Sequence, residues 1–166
     1  IEGYALANCA SLTAVQVPET VMSIGLRAFQ NCDALQQIPV ASGNRNSRSS
    51  DGILFNKEGT ERICYPGGKP QNQDPIPNGV TNITNSAFSG NDYLTWITIP
   101  GSVERIEGYA FENCGALTDL AINSADRLYW LVYGNQGIND YGTTPGTEYM
   151  DKVTIHSVDP RGTFTY

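Results

Sequence analysis

The 166-residue chain carries 10 lysines and arginines against 17 aspartates and glutamates, a net charge of −7, with charged residues only 16% of the whole. That length fits one domain, and an acidic surface repels phosphate backbones, which argues against a nucleic-acid partner. No apolar run approaches the length needed to cross a bilayer, and no signal peptide stands at the start.

The chain opens on Ile1-Glu2-Gly3-Tyr4-Ala5-Leu6-Ala7-Asn8-Cys9 and soon nearly repeats itself as Ile24-Gly25-Leu26-Arg27-Ala28-Phe29-Gln30-Asn31-Cys32, a period of 23. The phrase returns at Ile83 (Ala87-Phe88) and, at the same spacing, at Ile106 (Ala110-Phe111-Glu112-Asn113-Cys114). A fixed period in the twenties predicts a solenoid, in which each unit buries its apolar face against its neighbours. Within each unit, Leu-x-x-Ile-x-Ile ends with a period of two, the pattern of a short strand with one buried face. Pro18 and Pro100 then stop the strand. The Ala-Phe-x-Asn-Cys-x-x-Leu part places apolar groups three and four apart, which predicts one or two short helical turns. Val-x-x-Ile (Val21 to Ile24, Val103 to Ile106) closes the coil on a second side.

Between the second and third copies lies an insertion over about 41–76. Its first part, residues 43–50, is expected to be a polar, mobile loop. Asp51-Gly52-Ile53-Leu54-Phe55 and Arg62-Ile63-Cys64-Tyr65-Pro66 flank Asn56-Lys57-Glu58-Gly59, a hairpin signature. Ile76-Pro77-Asn78-Gly79-Val80 resumes the end of a repeat. After Ile122 the pattern fades, with one echo at Met150-Asp151-Lys152-Val153-Thr154-Ile155. Residues 123–166 are therefore expected to form a degenerate closing cap. Because the chain begins inside a repeat and without Met, it is expected to be an N-terminally incomplete piece of one repeat domain spanning 1–166.

The unit Ile-x-x-x-Ala-Phe-x-Asn-Cys-x-x-Leu-x-x-Ile-x-Ile-Pro-x-x-Val resembles the repeat of BspA-like leucine-rich repeat proteins. The Asp51–Phe55 to Tyr65-Pro66 insertion and the tail from Val153 to Tyr166 are similar to modules of that family. The resemblance implies a leucine-rich-repeat solenoid with a parallel strand ladder. It also implies a bacterial secreted or cell-surface protein that binds a host or bacterial surface protein or glycan. It transfers no catalytic or ligand residues, because the shared positions are core positions. Leu6 (for Phe), Asn91 (in the Cys column) and Asn123 (for Pro) depart from the pattern.

Chemistry is sparse. Cys9, Cys32 and Cys114 hold one repeat position, so they should stack about 5 Å apart with parallel side chains, a poor geometry for a disulfide. They read as buried free thiols, and Cys64 as a packed hairpin residue. His156 is the only histidine, too few for a zinc site or a triad without further partners. Gly67-Gly68-Lys69-Pro70 lacks the spacing of a phosphate loop. The sequon Asn82-Ile83-Thr84 sits at a core-facing repeat start. No enzyme, cofactor or metal is expected.

What remains is a surface. The residues alternating with the buried ones in each strand face outward: Ala14 and Gln16, Gln37 and Pro39, Trp96 and Thr98, Asp119 and Ala121. Gln16, Gln37, Trp96, Thr98 and Asp119 are the candidate partner-binding residues, with Trp96 as the anchor. The expected function is a non-catalytic, monomeric, extracellular binding or adhesion module; the alternative is a passive spacer or stalk.

Overall fold

The computed structural model describes residues 1–122 and 154–157. Its strands are β1 (Ser47–Ser50), β2 (Ile53–Asn56), β3 (Glu61–Cys64), β4 (Gln73–Pro75), β5 (Asn82–Ile83), β6 (Trp96–Ile99), β7 (Arg105–Ile106), β8 (Asp119–Ile122) and β9 (Thr154–Ser157). They form two sheets, ordered β1-β2-β3-β5-β7 and β4-β6-β8-β9. The second sheet is parallel throughout: Trp96 faces Asp119, Ile97 faces Leu120, and Ile99 faces Ile122. The repeat thus winds as expected, with the Leu-x-x-Ile-x-Ile segment on one side and the Val-x-x-Ile segment on another.

The expected helical turns are not helices; no helix occurs among the described residues. Two columns of left-handed residues interrupt each Ala-Phe segment. Tyr4, Arg27, Ser86 and Tyr109 form one, with φ of 57–60°, and Asn8, Asn31, Gly90 and Asn113 the other. Asn and Gly tolerate this conformation best, which accounts for Asn and Gly at the second column. The reason lies in the donors. The N–H groups of Tyr4, Leu6 and Asn8 donate to the carbonyls of Leu26, Ala28 and Gln30, while those of Ala5, Ala7 and Cys9 turn back three residues. Ser86, Phe88 and Gly90 repeat this on Gly108, Ala110 and Glu112. A helix would use every interior N–H internally and leave none to stitch one coil to the next.

The Cys column serves the same stitching. Cys32 Sγ donates to the Leu6 carbonyl at 3.0 Å and Cys114 Sγ to the Phe88 carbonyl at 3.1 Å. Asn91, the apparent departure, does it with an amide: its Nδ2 donates to the carbonyls of Pro66 and Gly67 at 3.2 and 3.0 Å. Its Oδ1 meanwhile accepts from the N–H groups of Tyr93 and Leu94. All four cysteines are free. Burial pushes the Cys114 thiol from its ordinary 9.0 to about 12 and the Cys64 thiol up as well.

The insertion is more ordered than its composition suggests. Residues 47–50, expected in a mobile loop, are strand β1, paired antiparallel with β2 from Ser47–Asn56 to Ser50–Ile53. Asn44 anchors its start: buried Nδ2 donates to the carbonyls of Pro18 and Val21, and Oδ1 accepts from the N–H groups of Asn46 and Ser47. β2 and β3 form the expected hairpin. β3 then runs parallel to β5, Glu61 with Asn82 and Arg62 with Ile83. From there the chain makes a coil of the array. Tyr65 stacks on Phe88 and Phe88 on Phe111, with ring centroids 5.5 and 5.1 Å apart. β4 pairs with β6, Gln73 opposite Trp96. Residues 60–80 are therefore a third coil, with Tyr65 at the Phe position.

This third coil is short at one corner. The step in sequence number to the facing coil is 21 along β3–β5 (as from Thr60 to Thr81) but 23 along β4–β6 (as from Asn72 to Thr95). A cavity of about 210 Å³ bordered by Ile24, Ile63, Asn82 and Asn85 marks the missing corner. Across it the second and fourth coils meet, Arg27 Nε donating to Asn85 Oδ1 and Ser89 Oγ to Asn31 Oδ1. Gly67 and Gly68 let the third coil lie that close. A Cβ on Gly68 would stand 2.5 Å from the Ala34 carbonyl carbon, and one on Gly67 2.9 Å from the Cys32 and Gly90 oxygens.

β2 also divides the core. Leu54 packs with Val17, Phe29, Leu35 and Ile38 in one apolar cluster, while Ile53 and Phe55 join Tyr65, Phe88, Ile97 and Leu120 in the other. Alternation along a strand sends successive side chains to opposite faces, so one strand seals both halves. Arg62, fully buried, lies over Phe55, Tyr65 and Phe88, with its guanidinium carbon 5.2–5.7 Å from each ring centroid. Cation–π attraction of this kind strengthens when desolvated.

Candidate functional site: the strand-ladder face

Two columns of the ladder alternate with its buried positions. Gln73, Trp96, Asp119 and Thr154 are successive register partners in one; Pro75, Thr98, Ala121 and His156 are partners in the other. Rungs in such a ladder stand about 4.8 Å apart. The first two coils contribute Ala14 opposite Gln37 and Val17 opposite Val40 as isolated bridges rather than strands.

The register of the pairs Trp96–Asp119 and Ala14–Gln37 follows the repeat positions. Gln37, Trp96 and Asp119 share one repeat position, whereas Gln16 belongs with Pro39 and Thr98 in the neighbouring column. β4 lies beside rung 96–99 on the side away from β8. The Gly52 carbonyl accepts from the Ile38 N–H, so the Asp51-Gly52 turn of the insertion stands beside Gln37. Gln37 and Gln16 are exposed, and Trp96, Thr98 and Asp119 are half-buried. Trp96 Nε1 donates to Thr98 Oγ1 at 3.0 Å, which lays the indole along its own strand instead of projecting it freely. Ala121, expected to face outward, is fully buried.

Sequence reasoning missed Gln73. Its signal was present: Gln73 and Ile76 precede Trp96 and Ile99 by one full period. The late echo also shifts. Met150-x-x-Val153-x-Ile155 predicts Ile155 opposite Ile122, but Ile155 stands opposite Leu120 and Ser157 opposite Ile122. The rest of the expected cap, including Lys152, lies outside the described residues. Among the described residues, no three His, Cys, Asp or Glu side chains converge as metal ligands would, and no helix is long and apolar enough to cross a membrane.

The architecture defines a leucine-rich-repeat solenoid. A family model for the BspA type leucine-rich repeat region matches residues 1–67 and 69–129 in six copies, and the chain belongs to that family. Solved relatives agree in fold. The pneumococcal vaccine antigen PcpA is 28% identical with a TM-score of 0.65, over 68% of this chain and 28% of its own. A leucine rich cell surface protein from Faecalibacterium prausnitzii is 34% identical with a TM-score of 0.61, over 66% and 29%. A leucine-rich repeat protein from Eubacterium ventriosum is 25% identical with a TM-score of 0.56, over 69% and 37%. The chain thus spans roughly a third of the length of these relatives. No protein of curated function is significantly similar to it. Leucine-rich repeat families are generally non-enzymatic and generally mediate protein binding.

Proposed function

We propose that the chain is a single, non-catalytic repeat domain that binds a surface protein or glycan outside the cell through its strand-ladder face. The observation that carries this reading is the unbroken column Gln73–Trp96–Asp119, which sets an amide, an indole and a carboxylate on adjacent rungs. Core columns repeat because packing demands it; this column varies at every rung. Solenoids use such extended faces for recognition, and Trp is among the residue types most enriched at binding hot spots. The cell-surface description of the Faecalibacterium prausnitzii relative supports an extracytoplasmic location. The second column, with Gln16 and Thr98, and the exposed Gln37 extend the same face.

The test is capture of matrix proteins and surface glycans by the wild-type chain, by Trp96→Ala and by Asp119→Arg. The reading expects capture that both substitutions weaken, Asp119→Arg without loss of fold because its side chain is only half-buried. Equal capture by all three proteins would remove the ladder face from consideration. No capture by any would favour a spacer.

A further inference from the structure

A cleft of about 750 Å³ opens where the insertion meets the ladder, between the Ser50–Ile53 turn and the chain at Pro70–Gln73. Its floor is Phe55, Ile53 and the buried Arg62, and its rim carries Asp51, Gln71, Asn72, Gln73 and Tyr93. The rim is held from behind. Lys69 is buried and its Nζ meets Asp51 Oδ2 at 3.0 Å and donates to the Asp51 carbonyl at 2.8 Å. That ammonium hydrogen-bonds the Asp51 carboxyl and keeps it below the usual carboxylate range. The Asn72 carbonyl accepts from the N–H groups of Thr95 and Trp96, which fixes its backbone and leaves its side chain at the rim.

Tyr93 differs from the aromatic rings of the buried stack. Tyr65, Phe88 and Phe111 are buried in one stack, whereas Tyr93 is 48% exposed at the cleft edge. Its backbone is pinned by Asn91, and its ring and hydroxyl meet no partner among the described residues. An accessible ring on a fixed backbone, beside three amides and a carboxylate, has a specific complement. The C–H face of a pyranose packs on an aromatic ring, and vicinal hydroxyls pair with planar amide and carboxylate groups, which between them supply donors and acceptors. Apolar side chains such as Ile53 and Phe55 beside a few convergent polar groups are the usual composition of a small-ligand site.

We propose that this cleft is an oligosaccharide-binding site, with Tyr93 as the stacking platform and Asp51, Asn72 and Gln73 as the hydroxyl-pairing groups. The proposal rests on the binding-module reading but uses different residues, apart from Gln73, which begins the ladder column. A sugar chain seated here would be bound beside Trp96 and could run on along that face.

The experiment titrates the wild-type chain with maltotriose, cellotriose, chitotriose, xylotriose and a galactose-terminated trisaccharide, following backbone amide shifts by NMR. At least one sugar should shift the amides of Gln71, Asn72, Gln73 and Tyr93. Tyr93→Ala should weaken that sugar about tenfold, the scale of one lost aromatic contact. Asn72→Ala gives a second readout that leaves the ring in place and should also weaken it. Absence of any shift across the panel overturns the site, as does a shift mapping elsewhere or an affinity indifferent to both Tyr93→Ala and Asn72→Ala. Protein capture that is lost in Asp119→Arg, with no sugar bound, overturns this proposal alone and leaves the ladder-face reading standing.

Discussion

The first two coils and the fourth and fifth have nearly the same sequence but not the same structure. In the early pair the ladder is reduced to two isolated bridges, and Ile1, Leu6, Cys9, Leu12 and Ile24 are only partly buried. In the later pair the ladder has four-residue strands, and Ile83, Phe88, Leu94, Ile106 and Cys114 are fully buried. The later coils are covered on both ladder sides, by β4 and β9. The first coil packs on the second and is otherwise held by Asn44 at Pro18 and Val21, and on the ladder side the second meets a turn of the insertion. In a solenoid the repeat sequence sets what can be buried, while the neighbours set how much is.

The largest test of that contrast is Phe88→Ala, which removes the middle ring of the buried stack. It should cost about 3–5 kcal/mol; Leu6→Ala, at the matching position of the half-exposed first coil, should cost clearly less. Denaturant unfolding midpoints of the two variants make the comparison. Tyr65→Ala asks whether the insertion belongs to the later region. As a member of the stack it should cost about 3 kcal/mol, near the Phe88 value, whereas a loop tyrosine would cost little.

Asn91→Leu comes next. It strips the donors from two carbonyls and the acceptor from two N–H groups in a buried site, a loss of about 1–3 kcal/mol. Asn91→Cys should recover part of that, because Cys32 and Cys114 already make the equivalent bond to the preceding coil. Equal loss in both variants would break the link drawn between Asn91 and the Cys column.

The smallest effect is on pH dependence. The Cys114 pKa rises on folding, so the native state holds its proton where the unfolded chain has lost it. Stability from this source is whole below the ordinary thiol value of 9.0 and falls as pH climbs towards about 12. A Cys114→Ala variant should therefore show a flatter stability profile above pH 9. Thiol modification of the native protein should likewise reach half-exposed Cys9 before Cys32, Cys64 or Cys114.

Much of this was legible from spacing. The period, the Phe and Cys columns and the hairpin all follow from which residues recur; of the expected outward positions, Ala121 is buried. The third coil did not, because Tyr65 replaces Phe and its corner is shortened, which breaks the repeat register between Arg62 and Tyr65. β1 was hidden because Ser47-Arg48-Ser49-Ser50 has the composition of a loop. It is a strand through pairing with β2 and the anchor at Asn44, both set by distant residues. The turns were misread as helical because apolar spacing reports which residues face inward. It does not report whether backbone donors bond within a coil or across to the next. The cleft escaped notice for a related reason: Asp51, Asn72 and Tyr93 are brought together only by the insertion's return into the array.

Residues 60–80, as a coil of the array, join the two halves of the core and deliver Gln73 to the ladder. Native-state hydrogen exchange tests this at one atom. The Tyr65 N–H donates to the Ala87 carbonyl at 2.6 Å, the counterpart of the Phe88 N–H donating to Ala110 at 2.8 Å. Slow exchange at Tyr65, within about tenfold of Phe88, is the predicted result. Exchange at Tyr65 as fast as at an exposed turn such as Glu58, with Phe88 still protected, would contradict it.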